Sequence, residues 1–260
     1  MLSPTRILGR LLAGSLVVLA PLATRARADE TLYCNRYIVA VPYTISAPGH
    51  YCFQGNVVTA MTAGNAITIN ADDVLLDLNG FALDGTPAGT ATAANGIFTS
   101  DRRRITVRNG AVRGFFDGIQ LGAGGTRVAN ITVERMRTDR NAVSIAVRGL
   151  GGGHVVRDNV VTNSGGSTVP GETNGVGISV YGGADVANNV VVHTFGDSPV
   201  AFDVTGGLQT ILDNRVMDSG RVGFGCDGAA PGQQILRGNV VLSTPFPYGG
   251  CSLVGSTNFP

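Results

Sequence analysis

"HVVRDNVVTN", residues 154–163, is a hydrophobic strand phrase with an Asn set into it. Nearly the same phrase returns as "DVANNVVVHT" (185–194), "ILDNRVMDSG" (211–220) and "ILRGNVVLST" (235–244). The Asn falls at 159, 189, 214 and 239. A second phrase precedes each copy: "VSIAVRG" from 143, "GISVYG" from 177, "AFDVTG" from 201 and "GFGCDG" from 223, with "GIFT" at 96 and "GIQLG" at 118 upstream. Each is a short alternating strand that ends in a Gly-rich turn. No segment keeps a 3.6-residue apolar period with caps over ten residues, so helices are not expected. Self-similarity at this period points to a solenoid, in which each strand lies parallel to its copy one coil away, about 4.8 Å distant. Val161, Val191, Val216 and Val241 then form one inward file. Asn159, Asn189, Asn214 and Asn239 form another, because a side-chain amide both donates and accepts and can continue a ladder at an inward bend.

The predicted fold is therefore all-β, a right-handed parallel β-helix of about 7–8 coils with an Asn ladder. Unit lengths that drift through turn insertions suit the right-handed coil better than a left-handed one with a strict hexapeptide rhythm. A β-sandwich is the rival, but it calls for frequent hairpin turns and has no reason to keep an Asn file.

Outside the repeats, Arg6 and Arg10 precede the apolar run "LLAGSLVVLAPL" (11–22), and Ala26-x-Ala28 follows. That is the make-up of a secretory signal over residues 1–28, too short to span a bilayer comfortably. Cleavage after Ala28 predicts a periplasmic or secreted protein with no membrane anchor; a retained N-terminal anchor is the alternative. The rest divides into an N-terminal cap at 29–65 and a β-helix with its C-terminal cap at 66–260. The chain has no Lys, and 15 Arg against 18 Asp and Glu remain beyond residue 28, a net charge of −3. That balance gives no general reason to expect nucleic acid. An even count of cysteines in an exported chain favours disulfides, Cys34–Cys52 and Cys226–Cys251, over metal or redox chemistry. Neither spacing resembles a zinc motif. Nothing assigns an oligomeric state.

"VLLDLNGFALDG" (74–85), "ITVRNGAVRGFFDGIQL" (105–121) and "YTISAPGHYCF" (43–53) carry a resemblance to the right-handed parallel β-helix proteins of the pectin-lyase-like superfamily, over most of residues 36–253. The resemblance implies the fold. It also implies a carbohydrate partner, since members include polysaccharide lyases, glycoside hydrolases and uronan epimerases, beside adhesins. The matching phrases are scaffold there. The Asp-Pro-His-Asp of alginate epimerases is missing, as is the Asp pair followed by Gly-His of polygalacturonases.

Alternation along the strands of the second phrase puts Ile145, Val147, Ile178, Val180, Phe202, Val204, Phe224 and Cys226 inside. One outward file then reads Arg148, Tyr181, Thr205, Asp227, and its neighbour Ala146, Ser179, Asp203, Gly225. Asp203, Asp227, Tyr181 and His193 are the candidate catalytic residues, and Arg148, Ser179 and Thr205 the candidate substrate-binding ones. Diagonal neighbours about 7–8 Å apart suit the acid and base of an inverting glycosidase. Alternatively Asp203 and Asp227 could hold Ca²⁺ against a uronate, with Arg148 neutralising the substrate and Tyr181 or His193 taking a ring proton. No other cofactor or metal is implied. His193 belongs to a turn file with Asn163, Asp218 and Ser243. Two insertions, "GTPAGTATAANG" (85–96) and "SGGSTVPGETNG" (164–175), project from one edge and either wall a groove or are idle.

Two functional readings follow. The chain is either carbohydrate-active on an acidic, uronate-containing polysaccharide, as a lyase, hydrolase or epimerase, or a non-catalytic glycan-binding or structural envelope module. "GFGCDG" fits a dinucleotide fingerprint, but "AAPGQQ" breaks where a helix should follow. The three Arg of "DRRRITVRNG" (101–110) read as a solvated turn.

Overall fold

The structure is a computed structural model that describes residues 34–122, 125, 127–226 and 234–251. The segment read as a secretory signal lies outside the described residues, as do Asp227 and most of "AAPGQQ". The described chain winds into a parallel β-solenoid, and every strand pairing in it is parallel. The strands form a fifteen-stranded sheet and a nine-stranded one. The second sheet takes one strand from each coil, including Asn95–Thr99, Asp117–Leu121, Val143–Arg148, Val176–Tyr181, Val200–Thr205, Val222–Gly225 and Phe246–Gly249. Among the described residues there is no α-helix, only a 3₁₀ turn at Thr86–Ala88 in the first insertion.

The Asn phrase is two strands, not the single one that the repeat suggests. Ala184–Ala187 and Val190–Thr194 flank Asn189, and Gln209–Leu212 and Arg215–Ser219 flank Asn214. The cause is the residue before each ladder position. Asp158, Asn188, Asp213 and Gly238 have φ of 57°, 55°, 53° and 64°. Asn, Asp and Gly enter that left-handed region at least cost, and the resulting bend turns the next side chain into the core. There the ladder forms. Nδ2 of Asn159 donates to Oδ1 of Asn189 (2.9 Å), Asn189 to Asn214 (3.0 Å) and Asn214 to Asn239 (3.0 Å). The backbone N–H groups of Asn159, Asn189 and Asn214 donate to the same three oxygens. Polar groups at the bend, which would otherwise be buried without partners, are thereby satisfied.

Earlier coils make the same bend with Asn109 and Arg135, at φ of 58° and 53°. Their ladder positions hold Gly110 and Met136, and Met136 N–H donates to Asn159 Oδ1 at 2.9 Å. In "VRNG" the Asn is thus the bend itself. Gly110 is required beside it, because a Cβ there would lie 2.2 Å from Leu78 Cβ.

The inward positions fall as the alternation predicts: Ile145, Val147, Ile178, Val180, Phe202, Val204 and Phe224 have no exposed surface, and Cys226 1%. Phe202, Phe224 and Tyr248 stack with centroids 4.7 and 5.6 Å apart. A second amide step runs from Gln234 Nε2 to Gln209 Oε1 (3.0 Å), in register with Ala184 and His154. His154 is buried against the Gly149 carbonyl, and burial pulls its pKa down, leaving a neutral core imidazole. Both disulfides form as paired from the sequence, Cys34–Cys52 and Cys226–Cys251, a state that persists outside a reducing cytosol. No helix among the described residues is long and apolar enough to cross a membrane.

Candidate functional site: the outward face of the second sheet

The register carries the predicted outward files. Ala146, Ser179, Asp203 and Gly225 are successive partners, and so are Arg148, Tyr181 and Thr205. Ser179 Oγ donates to Asp203 Oδ2 at 3.1 Å. The Tyr181 ring lies over Gly206, where an added Cβ would come within 2.3 Å of it. Glycine at 206 is what lets the ring lie there. Five of the named residues, Arg148, Ser179, Tyr181, Asp203 and Thr205, thus share one face. A shallow groove of about 300 Å³ runs beside Asp203, lined also by Val200, Val222 and Tyr248.

His193 does not join them. It sits on Val190–Thr194 of the long sheet, at φ 60°, in the predicted turn file with Asn163, Asp218 and Ser243, all at positive φ. Its Nδ1 is 2.9 Å from Asp218 Oδ2, and its ring stands 5.1 Å from that of Phe195. The expected Asp203–Asp227 pair, whether as acid and base or as Ca²⁺ ligands, depends on a residue outside the described ones. Among the described residues the only grouping with metal-ligand composition is Cys34, His50 and Cys52, and the two sulfurs of that group are already bonded to each other.

Simple alternation misses a third outward file. Asp117, Val143, Val176, Val200, Val222 and Phe246 are successive partners. Two residues before an inward Ile or Phe, they should point inward. They do not, because the residue between is also inward. Gly118, Ser144, Gly177, Ala201 and Gly223 occupy that position, and it is cramped. A Cβ on Gly177 would lie 2.5 Å from the Ala201 carbonyl, and one on Gly223 2.6 Å from that of Pro247. Two inward residues in a row shift the parity, which also accounts for the Gly of the repeated Gly-Ile phrase.

Asp117 therefore stands where the following coils have Val. It is 8% exposed. Burial pushes its carboxyl up to about 6, the Glu172 charge adds to the rise, and the Arg148 guanidinium opposes it. The signal in the sequence was a carboxylate just before a Gly-Ile pair, at the coil where the file changes from Asn65 and Asn95 to valine. Finding it required the parity shift.

The insertion that carries Glu172 is held in position. Thr168 N–H donates to the Thr90 carbonyl (3.0 Å), so the two insertions meet three coils apart along the stack, as one edge predicted. Ser198 N–H donates to Asn174 Oδ1 (2.7 Å), Thr173 Oγ1 bonds Asp197, and Glu172 N–H closes a turn onto the Val169 carbonyl. Between the insertions lies a cavity of about 170 Å³. The Arg-rich turn is more than solvated: Arg103 and Arg104 pair with Asp72 and Asp73 of the preceding coil.

No protein family matches the chain, and no curated protein does. Among solved structures it is similar to the Dettilon tailspike protein, at 12% identity and a TM-score of 0.34, over 86% of this chain and 61% of that one. The chain thus spans about three fifths of the tailspike's length.

Proposed function

We propose that this is an exported β-helix protein that binds a polysaccharide along the outward face of its second sheet and cleaves it there by proton transfer from Asp117. The observation that carries the reading is Asp117 itself, a carboxyl at the head of a line of valines and half protonated near pH 6, because burial and the Glu172 charge outweigh the Arg148 guanidinium. An acid with a raised pKa is the property that glycosidic cleavage needs, because the leaving oxygen must be protonated as the bond breaks. Val143, Val176, Val200 and Val222 offer an apolar stripe for sugar rings, and Gln120 and Asp203 offer polar groups for their hydroxyls, with Ser179 buried between them and bonded to Asp203. The coil step of about 4.8 Å is close to the length of one sugar in an extended chain.

Glu172 supplies the second carboxylate. Asp203 does not serve as Asp117's base, because three coil steps put it roughly 14 Å along the stack, beyond the ~6.5–9.5 Å window of an inverting pair. Its role is to hold substrate, with its carboxylate oriented by the buried Ser179 hydroxyl. Arg148 gives one cation for a uronate carboxylate, which favours an acidic polymer.

The test is reducing-end release from pectate, alginate, hyaluronan and chondroitin. Turnover that falls at least 100-fold in Asp117→Asn and Glu172→Gln while polymer binding survives supports the reading. Binding without turnover by the wild type makes the protein a recognition module instead. Turnover unchanged in Asp117→Asn refutes the assignment.

A further inference from the structure

The cavity between the two insertions is separate from the sheet face but opens at its edge. Its floor is Phe115, Phe116 and Ala142, and its walls include Thr86, Thr90 and Ser167. Phe116 directly precedes Asp117, and Ala142 directly precedes Val143, so an occupant would abut these two members of the outward file. The insertions close over it through Thr168 N–H to the Thr90 carbonyl, with the two hydroxyls 3.4 Å apart. This bridge bounds the cavity on the side of the two insertions.

Size and chemistry narrow the occupant. At about 170 Å³ the space is below the ~300–1,000 Å³ of pockets for larger ligands, so it takes one ring and not an oligosaccharide. The floor is two aromatic rings and a methyl group. The polar side chains already have partners: Thr86 Oγ1 donates to Asp84 Oδ1 (2.6 Å), Thr92 Oγ1 to the Met61 carbonyl (2.9 Å) and Arg140 Nε to Asp139 (2.8 Å), Thr90 faces Thr168, and Ser167 Oγ accepts from Val169 N–H (3.2 Å). A fully hydroxylated hexose would bury more hydroxyls than these groups can partner, which costs about 1–3 kcal/mol for each buried polar group left unsatisfied. A sugar with a methyl or acetyl group avoids that penalty by placing the substituent on the phenylalanines.

We propose that this cavity is a terminal subsite for a single sugar ring bearing a methyl or acetyl substituent. The inference rests on the polysaccharide reading of the adjoining face and adds that the protein engages a chain end of that kind. Saturation-transfer NMR on the wild-type protein with N-acetylglucosamine, L-fucose and glucose tests it. Transfer is expected to the acetyl and 6-methyl protons of the first two, with glucose at least tenfold weaker. Phe116→Ala removes half of the aromatic floor, and Ser167→Phe fills the cavity from its wall; each should abolish the methyl signals while the circular dichroism of the coil is retained. No methyl transfer, equal transfer to glucose, or signals that survive both variants would overturn the inference. Tyr181→Ala separates it from the reading of the face. Polymer binding that needs Tyr181 without methyl transfer means that the cavity fails and the face stands. Methyl transfer with polymer binding indifferent to Tyr181, Asp117 and Asp203 means the reverse.

Discussion

Truncating one rung in the middle of the amide ladder, Asn214→Ala, should be severe for a substitution that removes so few atoms. Asn214 Nδ2 donates to the Val186 carbonyl (2.9 Å) and to Asn239 Oδ1 (3.0 Å). Its Oδ1 accepts from the backbone N–H and from Nδ2 of Asn189, both at 3.0 Å. Some partners keep a second bond after truncation: Asn189 Nδ2 still reaches the Val156 carbonyl, and Asn239 Oδ1 still receives Asn214 N–H. The Asn189 N–H does not, and the residue is fully buried. One orphaned donor at about 1–3 kcal/mol and three further bonds at about 1 kcal/mol each give a loss of about 5 kcal/mol. Urea unfolding at neutral pH measures it, with the slope unchanged if the native coil is otherwise intact. Arg215→Ala, exposed on the same coil, is the control and should stay within about 0.5 kcal/mol. A loss below about 1 kcal/mol for Asn214→Ala would refute the claim that the ladder satisfies buried backbone.

Asp117 also predicts a pH dependence of stability. Its folded pKa of about 6 lies above the unfolded value of about 3.9, so its contribution is full below pH 4 and is lost as pH rises through 6, a decline of roughly 3 kcal/mol. Asp117→Asn removes that decline, and the difference between the two stability curves isolates it from the opposing effect of His154; parallel curves would contradict the assignment. Cutting the C-terminal clamp with paired Cys226→Ser and Cys251→Ser substitutions opens a loop of 25 residues and should cost about 3.5 kcal/mol in chemical denaturation. No measurable loss would mean that the last coil needs no tether.

The coil was legible because its determinants recur in the sequence. Asn159, Asn189, Asn214 and Asn239 each repeat one local demand, an inward amide after a left-handed residue, and a period can be read wherever a demand repeats. The earlier coils were less legible because Gly110 and Met136 take the same position without an amide, so the bend residue Asn109 looks like the ladder. Arg148, Tyr181, Ser179, Asp203 and Thr205 were placed on one face because alternation holds from the inward Ile or Phe onward. It fails one step earlier, where two inward residues adjoin, and Asp117 sits on the far side of that fault. Glu172 could not be read at all. Its effect on Asp117 depends on how an insertion folds back, held by Thr168, Thr173 and Asn174 against partners far along the chain.

Titrating the Asp117 carboxyl directly by carbon NMR, with Asp117→Asn to assign the signal, tests the functional reading most closely. The midpoint should lie near 6, rise further in Arg148→Met, and fall in Glu172→Gln, because those two charges act on it in opposite directions. A midpoint near the ordinary aspartate value of about 3.9, unmoved by either substitution, would leave the face without its proton donor and the proposed reaction without a basis.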